Sequence, residues 1–308
     1  MIRTFLILLC LIESSIINAL PFKNTKKYDF LKRKTRSTNG DIGCMHMAAE
    51  PGDYKFTSDG SGSVCGLYFI SPPEDVIELQ FLDFDISCES GLLALVDGWE
   101  MNEEFFPSPE DHELTLEERY QTFCNLRKPS KTIVVSQNVA LIQHLITEAG
   151  QGFKVRVRFV KSPQPCNVVS STETGIHTLK NFGSRRNCSV SIIYPETVKL
   201  DSVDVGVTPK HALMEADFGI TNKCMTSNGV DFVEVMGGNS FELNKSHDRK
   251  GIVCGMKSNT GPLETIVGCQ NTVIRLVSSG NFYNTQYCLL KKMIIVAHVC
   301  WRNFTCYI

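Results

Sequence analysis

The sequence predicts an all-β chain: two tandem antiparallel β-sandwich domains stapled by disulfides. Three observations carry this. Most apolar segments are short, rich in β-branched and aromatic residues, and alternate with polar ones, which is the period of a half-buried strand. The run Cys44, Cys65, Cys88, Cys124 is echoed by Cys166, Cys188, Cys224, Cys254. Helix signals are nearly absent: only Leu114 to Phe123 reads as a helix, opened by Thr115-Leu116-Glu117-Glu118 with its early carboxylates. At 308 residues, 43% hydrophobic and 21% charged, the chain can build large cores, and its length suits one large or two ordinary domains.

Taken in order, Arg3, the apolar run Phe5 to Ile12 and the small residue Ala19 read as a secretory signal over residues 1–19. Residues 20–42 form a basic, flexible segment carrying Lys26-Lys27 and Arg33-Lys34-Thr35-Arg36, expected to be solvated. A first sandwich is expected over 43–162 and a second over 163–288, joined near Ser162-Pro163-Gln164-Pro165, with a divergent tail over 289–308. In Phe153-Lys154-Val155-Arg156-Val157-Arg158-Phe159 the apolar residues share one face and the basic residues the other. In Ile77 to Ile86 the apolar phase shifts from Ile77, Leu79 and Phe81 to Leu82, Phe84 and Ile86, as a bulge or a sheet-switching bend requires. Further strands are expected at Val139 to Ile146, Val190 to Tyr194, Val203 to Val207, Phe232 to Val235 and Thr272 to Val277. The repeat extends beyond the cysteines. The segment Gly91 to Gly98 after Cys88 is echoed by Gly229 to Gly238 after Cys224, and Gln137-Asn138-Val139 by Gln270-Asn271-Thr272.

Several function classes fall away. A net charge of −2 and the lack of any nucleic-acid-binding signature argue against a polynucleotide partner. The C-terminal apolar stretch Met293 to Val299 is far below the ~20 residues of a spanning helix, so no membrane span is expected. Of thirteen cysteines Cys10 lies in the signal, which leaves twelve for an oxidising compartment. They form no C-x-x-C pair, and no histidine stands at zinc-ligand spacing, so staples account for them better than a metal. There is no G-x-S-x-G elbow, His-Glu-x-x-His helix or P-loop. The reading is a secreted, extracellular, non-enzymatic protein without a cofactor.

Four cysteines per module, a Cys-to-Asp97-Gly98 segment, and a Gln137-Asn138 strand leading to Gly152-Phe153-Lys154-Val155 resemble a CUB domain, an extracellular β-sandwich. Five longer stretches are more specific: Asp97-Gly98-Trp99; Phe106-Pro107-Ser108; Glu118-Arg119-Tyr120 with Phe123-Cys124; Arg186-Asn187-Cys188 through Tyr194-Pro195; and Gly268-Cys269-Gln270-Asn271 through Ser279-Gly280. Together they resemble the corticotropin-releasing-factor-binding protein family, in an invertebrate-like member, over roughly Cys44 to Gly280. The resemblance implies two CUB-like domains in a soluble, secreted glycoprotein. Such a protein sequesters corticotropin-releasing-factor-type (diuretic-hormone-like) peptide hormones and limits receptor activation. A structural or adhesive CUB-domain protein that binds other extracellular proteins is the alternative.

The same resemblance implies disulfides Cys44 to Cys65, Cys88 to Cys124, Cys166 to Cys188 and Cys224 to Cys254, with Cys269 pairing further on, at Cys288, Cys300 or Cys306. It makes Asn187 an expected glycosylation site; Asn244 and Asn303 also stand in sequons. The family's charged residues around its first cysteine are replaced here by Gly40, Asp41, Gly43, Met45 and His46, so no ligand contact is transferred. Trp99, Phe105 and Phe106 are weighed as contacts but read better as core. Asp97 and Asp231 read as turn residues rather than calcium ligands. Beyond Gly280 the chain departs from the family pattern, and the expected consequences are a missing last strand, an open sheet edge and free thiols prone to intermolecular pairing.

Overall fold

The computed structural model describes residues 41–206, 214–217, 231–241, 243, 247–268 and 270–292. In the first half, β1 (Met45–Ala48), β3 (Val64–Ile70), β10 (Val139–Ile146), β5 (Gly91–Val96) and β8 (Tyr120–Phe123) form a sheet of order β1-β3-β10-β5-β8. Against it lies a second sheet, β2-β11-β4-β9, made of β2 (Gly52–Thr57), β11 (Gly152–Lys161), β4 (Asp75–Asp85) and β9 (Ile133–Val134). All pairings are antiparallel except β1 with β3. Leu67, Phe69, Leu93, Leu95 and Ile142 from one sheet meet Ile77, Leu79, Phe84 and Val155 from the other in one core, the aligned packing of a β-sandwich.

The alternation in β11 becomes two different faces. Phe153, Val155 and Val157 are buried. On the wet side, Arg156 and Lys154 pair with Asp53 at 2.8 and 3.1 Å, and Arg158 pairs with Glu78 at 3.1 Å. The phase shift in β4 is a bulge: Lys154 faces Asp83 and Val155 faces Phe81, so Leu82 is the extra residue and turns outward. A bulge lets Ile77 and Leu79 before it, and Phe84 after it, all point inward.

The second half reuses this wiring. In it, β12 (Val168–Ser170), β14 (Cys188–Ile192), β19 (Asn271–Val277) and β17 (Phe232–Gly238) take the order β12-β14-β19-β17, with the first pair parallel and the rest antiparallel, as in β1-β3-β10-β5. The long β18 (Asp248–Ile266) pairs first with β17 and β16 (Met214–Asp217), then with β15 (Glu196–Val205). The sheet continues through β20 (Thr285–Lys292) to β13 (Gly175–Lys180). Its two ends fold over each other: Val190, Val235 and Ile274 pack with Leu179, Val198, Leu200 and Val203 in one core. Even the bulge recurs, as a register shift between Leu200 and Ser202 in β15.

Two expectations are corrected here. The last strand is present: β20 occupies the position of β11 and pairs with strands on both sides, so the stretch after Gly280 closes the sandwich instead of opening an edge. The helix expected at Leu114 to Phe123 shrinks to α1 (Leu116–Arg119), capped by a reciprocal Thr115–Glu118 box. Tyr120 to Phe123 become β8 because they pair with β5, and a sheet partner outweighs a weak helix propensity.

Disulfides join Cys44 to Cys65, Cys88 to Cys124 and Cys166 to Cys188, closing separations of 21, 36 and 22 residues; each contributes ~3 kcal/mol by restricting the unfolded chain. Cys254 is also disulfide-bonded. Cys224, Cys269, Cys300 and Cys306 lie outside the described residues. Cys288 is a free thiol buried in the second core, 3.4 Å from the His177 carbonyl, and burial pushes its pKa up to about 12. Held as a buried thiol, it is shielded from exchange.

His144 points inward from β10, its ring tilted against Phe56 at 4.1 Å and edge-on to Phe153 at 5.1 Å. Its Nδ1 has no hydrogen-bond partner, and burial lowers its pKa to about 4. Burial also lowers His46, His112 and His177. The unfolded chain takes up these protons near pH 6.5, whereas folded His144 takes one only near pH 4. The stabilisation is complete above pH 6.5 and is lost as pH falls toward 4, by roughly 3 kcal/mol for His144 alone. Urea unfolding between pH 7.5 and 4 should show this decline, and H144L should flatten part of it.

Candidate functional site

Three of the sequence stretches singled out above meet at one place. The hairpin β6 (Trp99–Met101) and β7 (Glu104–Phe106) folds over the outer face of the five-stranded sheet. Trp99 is buried there; its Nε1 donates to the carbonyls of Phe69 and Ala140 at 3.0 and 3.1 Å, and its ring meets Tyr68 edge-on. Arg119 is 1% exposed. Its Nε donates to Asp97 O at 2.9 Å, Nη1 to Pro107 O at 2.9 Å and Nη2 to Phe106 O at 3.0 Å. Burial lowers its pKa to about 10, which leaves it charged at neutral pH. Gly98 has φ +116°, and a Cβ there would lie 2.2 Å from Phe106 O, so the contact requires glycine.

Asp97 accepts from Ser136 N at 2.9 Å, Ser136 Oγ at 2.5 Å and Gln137 Nε2 at 2.6 Å. Asp231 accepts from Ser279 N, Ser278 Oγ and Asn284 Nδ2. Both carboxylates tie loops together. Among the described residues no group of three or more His, Cys, Asp or Glu is placed to hold a metal. Trp99 and Phe106 are core residues, while Phe105 lies half-buried against Tyr120, with the Arg119 guanidinium over its ring.

The hairpin also receives the second half of the chain. Phe241 packs on Trp99 and Phe106, and its N–H donates to Glu104 Oε2 at 3.1 Å. Asp111, in the loop after the Phe106-Pro107-Ser108 stretch, accepts from Arg275 Nε and Nη2 at 2.6 to 3.0 Å. Arg275 also pairs with Glu234 at 3.1 Å, and Glu234 with Arg249 at 2.8 Å. The Asp111 and Glu234 side chains are 1% and 2% exposed. Asn138 adds a two-way bond, giving its amide to Val169 O and accepting from Val169 N, both at 2.8 Å. The two sandwiches are thus joined by a buried charged network.

The hairpin covers only half of the face beneath it. Under it lie Tyr68, Leu141, Val96 and Tyr120. Four residues further along each strand the face continues without a cover among the described residues: Val64, Leu145 and Leu92 stand in register, 71%, 38% and 48% exposed. Beside them runs the row Met45, Gly66, Gln143 and Ala94, with Met45 65% exposed and its sulfur over Gly66. At the border Glu100 accepts from Gln143 Nε2 and from Glu103 N, and no described cation pairs with it. This uncovered apolar shelf is the candidate site. Sequence reasoning did not find it. The signal was the uninterrupted apolar composition of Val139 to Ile142 and Leu92 to Val96, which marks strands meant to be covered on both faces.

Asn187 lies beside the junction, its amide donating to Glu110 O at 3.3 Å. Asn244 and Asn303 lie outside the described residues.

Two linked, disulfide-bonded β-sandwiches, with an apolar face left bare, define a class: a two-domain extracellular-type binding protein. The comparisons give the family. A family model described as "Corticotropin-releasing factor binding protein N-terminal domain" matches residues 36–161, and one described as "Corticotropin-releasing factor binding protein C-terminal domain" matches 168–296. The chain belongs to the corticotropin-releasing factor-binding protein family, which is a family of binding proteins. The human protein named "Corticotropin-releasing factor-binding protein" is 36% identical over 243 residues, covering 78% of this chain and 72% of that one; the sheep protein of that name is 35% identical over the same shares. The second match runs past Gly280 to include β20, so the family pattern reaches further than the motifs alone suggest. Among solved structures, the CUB1-EGF-CUB2 domains of rat MASP-1 superpose with TM-score 0.28 and 13% identity, over 79% of this chain and 99% of that one.

Replacing Arg119 by Met should leave three inward carbonyls without donors and cost about 3 to 5 kcal/mol. Urea unfolding of R119M against the parent chain measures it.

Proposed function

We propose that this chain is a secreted protein that sequesters peptide hormones of the corticotropin-releasing-factor type and keeps them from their receptors. The observation that carries the reading is the family match across both halves of the chain, 36–161 and 168–296, at about 35% identity to proteins named for binding that hormone. The disulfides suit an oxidising compartment, and among the described residues no helix is long and apolar enough to cross a membrane. In this reading residues 1–19 are a removed signal, 20–42 a flexible basic segment, 43–162 and 163–288 the two domains, and 289–308 a tail. Asn187 carries a glycan, Cys224 and Cys254 form the fourth staple, and Cys269 pairs outside the described residues.

Calorimetric titration of the secreted chain with a corticotropin-releasing-factor-like or diuretic-hormone-like peptide from the same organism tests the proposal. Saturable one-to-one binding on the nanomolar scale is expected. A folded, correctly bridged sample that takes up no such peptide would contradict it and favour an adhesive role. An enzymatic deglycosylation shift, lost in N187Q, is the expected result for the glycan.

A further inference from the structure

The bare shelf has a form that selects its occupant. The outer face of the five-stranded sheet is largely apolar, interrupted by Gln143 and Thr122, and among the described residues the Trp99 hairpin with Phe106 covers only half of it. The uncovered half presents Met45, Val64, Leu92 and Leu145. These side chains offer no hydrogen bonds, so whatever lies on them must satisfy its own backbone. A helix does so and an extended segment does not. The spacing agrees: strands in register stand ~4.8 Å apart, and a helix advances ~5.4 Å per turn. A helix laid across β3, β10 and β5 therefore places one residue per turn above Val64, Leu145 and Leu92 in succession. The four strands from β1 to β5 span roughly 14 Å, against a helix length of three turns, ~16 Å. At the edge of the shelf the Glu100 carboxylate bonds, among the described residues, only neutral groups, Gln143 and the Glu103 N–H. A carboxylate there favours a cation.

We propose that the peptide ligand binds as an amphipathic helix lying across β1, β3, β10 and β5, its apolar stripe on Met45, Val64, Leu145 and Leu92, with a Lys or Arg flanking that stripe set against Glu100. This rests on the peptide-binding reading and assigns its site. The first domain then provides the contact surface, and the second domain holds the hairpin that bounds it.

The test is titration of the full secreted chain with the same peptide, using L92K and L145K as shelf variants, M45S and V64S as milder ones at the most exposed positions, and E100Q for the charge. L82K, on the outer side of the other sheet, is the control. Every variant is first checked for an unchanged thermal midpoint. L92K and L145K should weaken binding at least tenfold, and M45S with V64S several-fold. E100Q should weaken it a few-fold and reduce its salt dependence, while L82K should leave it unchanged. Binding by the parent chain that the folded shelf variants do not alter would overturn the assignment and leave the peptide-binding reading intact. A parent chain that binds no such peptide would overturn both.

Discussion

The buried guanidinium of Arg119 is the contact on which the first domain's surface depends. A charged group that is 1% exposed is tolerable only when its donors are spent, and here they go to the carbonyls of Asp97, Phe106 and Pro107. Those carbonyls belong to the two ends of the β6–β7 hairpin, so one side chain draws the hairpin shut over the sheet. Trp99 is then pressed onto Phe69 and Ala140, and Gly98 is required because no side chain fits between the strand and Phe106 O.

The consequences spread outward from there. The closed hairpin presents Trp99, Phe106 and Glu104 to Phe241, and the loop that follows it carries Asp111 to Arg275. Removing one member of the Asp111, Arg275, Glu234 set would strand a buried charge, so the network fixes which surfaces of the two sandwiches meet. It also fixes where the hairpin stops. Among the described residues, half of the outer face is covered and the other half is left largely apolar and exposed.

Much of the fold was legible in the sequence because sandwiches obey a simple period. The alternation in Phe153 to Phe159 gave one buried and one ion-paired face, and the phase shift in Ile77 to Ile86 became the bulge at Leu82. The internal echo corresponds to a shared strand order, β1-β3-β10-β5 and β12-β14-β19-β17. What was not legible depended on partners distant in sequence. Tyr120 to Phe123 follow a capped helical turn, yet they pair with β5. The segment Thr285 to Lys292 departs from the motifs, yet backbone pairing with β13 and β15 asks little of side-chain identity, and so it forms the strand all the same. The candidate site was hidden for a related reason. Leu92 and Leu145 look like core residues in a one-dimensional pattern, and only the reach of the hairpin shows that none of the described residues covers them.

Photo-crosslinking bears on the central claim most directly: a corticotropin-releasing-factor-type peptide carrying a photoreactive residue in its apolar stripe, bound to the secreted chain, with the adducts mapped by mass spectrometry. The account predicts adducts on Met45, Val64, Leu92 or Leu145. Adducts confined to the second domain, or to the polar cleft between Glu110 and Ser279, would contradict it.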